Sequence, residues 1–85
     1  MTTKRERERR MERVLDYFLR VQDGATVTEK DVGAVTGIGD AALPLLADLV
    51  RRGWLAYEYE QRGGRPRLCY RLTEVGRRAL ADRGA

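Results

Sequence analysis

Fifteen arginines, against two lysines, dominate the chemistry open to this chain. Arg62, Arg65 and Arg67 crowd around Gly63, Gly64 and Pro66. Lys4, Arg5, Arg7, Arg9 and Arg10 fall within the first ten residues. Guanidinium groups donate hydrogen bonds and accept none, so clusters of them suit carboxylate or phosphate partners. The missing residue types narrow the choice. The chain has no His, no Ser and no Asn, which removes the usual general base, the serine nucleophile and most zinc or iron ligand sets. No phosphate-cradling G-x-x-x-x-G-K-[ST] loop is present. The single Cys69 allows neither an internal disulfide nor a cysteine-based metal site. No catalytic residue, metal or cofactor is expected, and the chain reads as a binding module rather than an enzyme.

The placement of charge says more than its sum of +4. Residues 1–13 carry six basic and three acidic side chains, a net +3. Residues 14–50 carry two basic and six acidic, a net −4. Residues 51–72 carry six basic and two acidic, a net +4, and the remainder three and two. Two basic ends flank an acidic middle, the footprint expected of a nucleic-acid binder.

The elements that must position these groups follow from periodicity. At 85 residues, 42% of them hydrophobic, there is room for one small domain with a thin core. No apolar run approaches the ~20 residues of a membrane span, and no signal peptide is visible, so a cytoplasmic location without membrane attachment is expected. From Lys4 to a stop at Gly24, Met11, Val14, Leu15, Phe18 and Leu19 form one helical stripe. Residues 1–10 lack any apolar side chain beyond Met1 and read as a basic arm or helix extension; residues 11–85 form the domain. Ala25-Thr26-Val27 is β-prone. Thr28 with Asp31 predicts a capping box opening a helix over 29–36, stopped by Gly37, with Val32 and Val35 inward. After a tight turn, Gly39 or Asp40 caps a third helix ending at Gly53, with Leu43, Leu46, Leu49 and Val50 inward and Pro44 in its first turn. Two alternating runs follow. Leu55, Tyr57 and Tyr59 share a face in one, and Leu68, Tyr70 and Leu72 in the other, so the tyrosines are expected to pack and Cys69 to face outward. Arg62–Pro66 is the hairpin tip, with glycines supplying positive φ. Thr73 caps a last helix with Val75, Ala79 and Leu80 inward.

The sum is an α+β, mostly helical fold. A three-helix core, a β-hairpin and a short C-terminal helix match the winged helix-turn-helix pattern. Within it, residues 43–80 resemble the winged-helix part of the PadR family of bacterial transcriptional regulators. Pro44, Leu46, Leu49 and Gly53 match the family's third-helix pattern. Gly63, Gly64 and Pro66 resemble its wing. Tyr70, Arg71, Leu72, Thr73, Gly76, Arg77 and Leu80 match its Y-R-L-T-x-x-G-R-x-x-L. Leu43 stands where the family has Tyr, and the first 35 residues lack its L-x-G-Y-E-I pattern. The match includes no C-terminal dimerisation part, so a homodimer would use the first and last helices.

The resemblance implies a repressor that binds double-stranded DNA, with the third helix in the major groove. Its outward candidates are Asp40, Ala41, Ala42, Pro44, Leu45, Ala47 and Asp48, of which Ala41, Ala42, Pro44 and Leu45 are expected to touch DNA. None is a strong base reader. Phosphate and minor-groove contacts therefore fall to Arg62, Arg65 and Arg67 of the wing and to Lys4, Arg5, Arg7, Arg9 and Arg10 of the arm. Lys30 would join them at a helix N-terminus. The competing expectation is a protein–protein module docking through the apolar, acidic third helix.

Overall fold

The computed structural model describes residues 3–22 and 24–84. In chain order the elements are α1 (Lys4–Arg20), β1 (Val27–Thr28), α2 (Glu29–Thr36), α3 (Ala42–Arg51), β2 (Leu55–Arg62), β3 (Arg65–Leu72) and α4 (Glu74–Gly84), with a 3-10 turn at Gly39–Ala41 before α3. The strands form one antiparallel sheet in the order β1-β3-β2. This is an α+β fold of four α-helices and a three-stranded sheet. No single helix among the described residues is long and apolar enough to cross a membrane.

Local chemistry sets several boundaries as expected. Thr3 caps α1 by accepting the Glu6 N–H at 3.1 Å, so the helix runs unbroken from Lys4 through the all-polar first turns. It ends at Arg20, earlier than the Gly24 stop that the sequence suggests, because Val21 is already extended. The α2 capping box is complete. The Thr28 hydroxyl accepts the Asp31 N–H at 3.1 Å, and the Asp31 carboxylate accepts the Thr28 N–H at 3.0 Å. Gly37, at φ 78°, closes α2 in the left-handed conformation that glycine adopts without steric cost. The chain direction then turns by 119° into the Gly39–Arg51 segment. Gly33 makes this approach possible, since a Cβ there would lie 2.6 Å from the Gly39 carbonyl oxygen.

Gly63 and Gly64, at φ 59° and 79°, make a two-residue turn that pairs Arg62 with Arg65. Both positive angles fit a type I′ hairpin, whose twist matches that of the flanking strands. β3 is the central strand. Val27 pairs with Tyr70 on one side and Tyr57 pairs with Tyr70 on the other.

The core gathers Val14, Leu15 and Phe18 from α1, Val32 from α2, and Ala42, Leu45, Leu46 and Leu49 from α3. Leu55, Tyr70 and Leu80 close it from the sheet and α4. Several inward assignments differ from expectation. On α3 the buried stripe is shifted: Ala42 and Leu45 are 0% and 2% exposed, while Leu43 is 46% exposed and Val50 only partly buried. In an almost wholly apolar stretch such as Ala41–Ala47, no polar residue marks the phase, and packing alone chooses it. Val35 and Val75 are exposed rather than inward. Tyr57 and Tyr59 are 58% and 71% exposed: both lie on the edge strand β2, and Tyr57 stays open although it pairs directly with the buried Tyr70 of the central strand. Cys69, expected outward, is fully buried. β1 spans Val27–Thr28, starting two residues after its β-prone stretch does and ending one residue beyond it.

Candidate nucleic-acid interface

The α1 extension brings its cations against α3. Lys4, Arg5, Arg7 and Arg9 are exposed and Arg10 is half-buried. Arg7 and Arg10 line one groove with Ala41, Pro44 and Leu45. Lys4, Arg7, Glu8 and Met11 line a second with Asp48 and Arg52. The first turns of α1 therefore lie along the flank of α3 that carries Ala41, Pro44 and Asp48.

Asp48 is the hub of that contact. Its Oδ2 lies 3.1 Å from Arg52 Nη2 and 3.9 Å from Arg7 Nη2, and its Oδ1 accepts from Arg51 Nη2 at 3.3 Å. Arg52 also sits over the Trp54 ring, 5.7 Å from its centroid. By sequence Asp48 is an outward acid on the third helix. The structure surrounds it with three guanidinium groups, so the locality is cationic. The Arg51 and Arg52 partners are legible as i+3 and i+4 spacings. The Arg7 partner depends on how α1 and α3 pack, and no spacing signals it.

Lys30 is exposed on the first turn of α2. The amides beside it are less open to an anion than expected, because the Thr28 hydroxyl takes the Asp31 N–H, and Glu29 and Asp31 add negative charge. Lys30 instead shares a groove with Thr28, Glu29, Arg67, Leu68 and Tyr70. It also borders a neighbouring one with Gly39 and Asp40. Arg65 and Arg67 are exposed on β3. The Arg62 side chain lies outside the described residues.

The hairpin is two-faced. Arg65, Arg67 and Arg71 alternate with Leu68 and Tyr70, so strand register places them on the face that also carries Glu58 and Glu60. Arg71 Nε is 3.8 Å from the Glu58 carboxylate, and the Thr26 hydroxyl donates to Glu60. The opposite face carries Tyr57, Tyr59 and Leu68. Burial, then the Glu29 carboxylate and the neighbouring Tyr59, push the Tyr70 phenol above its ordinary range. Burial and Asp31 do the same to Tyr17.

Five of the residues expected at the interface thus group about α3: Lys4, Arg7, Arg10, Ala41 and Pro44. Lys30 groups with Arg67. Ala42 and Leu45 are corrections. They belong to the hydrophobic core, and Leu45 reaches the groove only as part of its floor. The outward side of α3 is instead Leu43, Pro44, Ala47 and Arg51.

No family model matches the chain, and no curated protein matches it. Among solved structures it is similar to the crystal structure of a "putative transcriptional regulator" from Thermoplasma acidophilum. The TM-score is 0.72 at 16% sequence identity, covering 94% of this chain and 81% of that one. The two share a fold.

Proposed function

We propose that this chain is a winged helix-turn-helix regulator of the PadR-like kind, which binds double-stranded DNA and represses by occluding a promoter. The observation that carries this reading is the run of adjoining grooves. Arg67 of the hairpin adjoins Lys30; Lys30 adjoins Asp40 at the start of α3; Ala41 and Pro44 adjoin Arg7 and Arg10. The first two grooves share Glu29 and Lys30, and the third begins at Ala41, the chain neighbour of Asp40, so hairpin, α2, the start of α3 and the α1 extension follow one another. The fold shared with a protein named as a transcriptional regulator supports the same reading, as does the 119° turn between α2 and α3, which lies within the helix-turn-helix range.

The shape divides the labour. A helix is about 10–12 Å across, too thick for a minor groove about 6 Å wide, so the helical α1 extension would address backbone phosphates. The slim Gly63-Gly64 tip is the part suited to the minor groove. Pro44 and Ala47, together with Leu43, offer apolar contacts to the major groove and few hydrogen bonds, so phosphate contacts and duplex shape would carry most of the affinity.

The test replaces Arg65 and Arg67 by Ala and measures binding to random duplex DNA. The expected loss at low salt is about tenfold or more, and the parent protein, neutralising about six phosphates, should show a log–log salt slope near −5. Affinity unchanged by the substitutions, with a slope shallower than about −2, would instead favour a protein-docking module acting through Leu43, Pro44 and Ala47 of α3. The exposure of Leu43 is the observation behind that second reading.

A further inference from the structure

Resting on the DNA reading above, we propose that Asp48 is a built-in competitor for nucleic-acid phosphate. Its carboxylate holds the guanidinium groups of Arg7, Arg51 and Arg52 in the position where a backbone phosphate of a duplex lying along α3 would take them.

The geometry is specific. One carboxylate, with 19% of its side chain exposed, has an arginine nitrogen at 3.1, 3.3 and 3.9 Å, the last reaching across from another helix. Asp48 follows Pro44 by one helical turn, so it borders the outward side of α3. Three positive charges against one negative leave the cluster two charges in excess, and Lys4 and Glu8, which line the same groove, offset each other. The three arginine side chains are themselves half-exposed or more. Ion pairs this open to water are weak and exchangeable, and a phosphate offers the same bidentate geometry to a guanidinium. An aspartate here therefore subtracts from binding to any duplex, whatever its sequence. That leaves a larger share of the affinity to contacts that depend on DNA shape.

The measurement is the affinity of Asp48→Asn for a random duplex, across a salt series, beside the parent protein. Asn keeps the volume and one acceptor but removes the charge. The expected result is binding tighter by about three- to tenfold at low salt, with a salt slope steeper by about one. Arg52→Ala should cost more affinity in the Asp48→Asn background than in the parent, because there the arginine is free for phosphate. A thermal melt identifies which samples are folded, and Asp48→Glu, which retains the charge, should bind as the parent does. Parent-like or weaker binding by folded Asp48→Asn would overturn the inference while leaving the DNA reading intact. Absence of duplex binding by the parent would remove both.

Discussion

A Cβ placed on Gly76 would lie 2.2 Å from the Trp54 carbonyl oxygen and 2.9 Å from Leu72 Cδ1. The close approach belongs to a small network around Thr73. Its backbone N–H donates to the Trp54 carbonyl at 2.9 Å. Its hydroxyl sits 2.6 Å from the Gly53 carbonyl oxygen and accepts the Gly76 N–H at 3.0 Å. The L-T-x-x-G segment therefore does two jobs, capping α4 and tying its start to the end of α3. Gly76→Ala should destabilise the fold by about 1–3 kcal/mol through overpacking, read as a lower urea midpoint at an unchanged m-value. Parent-like stability would mean that α4 shifts freely and that the tie is unimportant. At this scale the sequence was informative wherever a polar side chain served its own neighbourhood, as with Thr73 or Thr28. It was silent on Asp48 and Arg7, which are 41 positions apart and meet only once two helices have packed.

The shortest α-helix is α2, eight residues long. A helix of that length is marginal by itself, so its ends and its packing must sustain it. Val32 is fully buried and Val35 is exposed, leaving one strong apolar anchor beside Gly33. The capping box at Thr28 is then a large fraction of what holds the element. Thr28→Ala should cost about 1 kcal/mol, and Thr28→Ser, which keeps the acceptor, should cost much less. Equal losses in the two variants, measured by urea denaturation, would show that the cap is incidental. The bounds of α2 were readable because Thr28, Asp31 and Gly37 mark them chemically. The hairpin turn was readable for the same reason. The rotation of α3 was not, because Ala42, Leu43, Leu45 and Leu46 are all apolar and either phase buries a leucine stripe. That ambiguity is why Ala42 and Leu45 were expected on the DNA side and lie in the core.

The whole molecule measures 39 × 31 × 21 Å. Its long dimension is close to one turn of B-DNA, about 34–36 Å, so one copy reaches a single half-site and a two-fold operator requires two. Two exposed apolar side chains are the positions at which such pairing can be tested. Leu19 on α1 and Val75 on α4 are each more than half exposed, and the two helices are already joined through Glu12 and Arg83 at 3.2 Å. Two copies related by a two-fold axis would present the same helices to each other. Sedimentation at micromolar concentration is expected to give about twice the 9.7 kDa of one chain. Leu19→Lys and Val75→Lys should return the mass to that of a single chain, because each puts a charge where the partner's apolar surface would lie. If the unmodified protein sediments as a monomer, the palindromic operator is lost as a model. The arginines of the hairpin and of α1 would then act as a single clamp on one stretch of duplex.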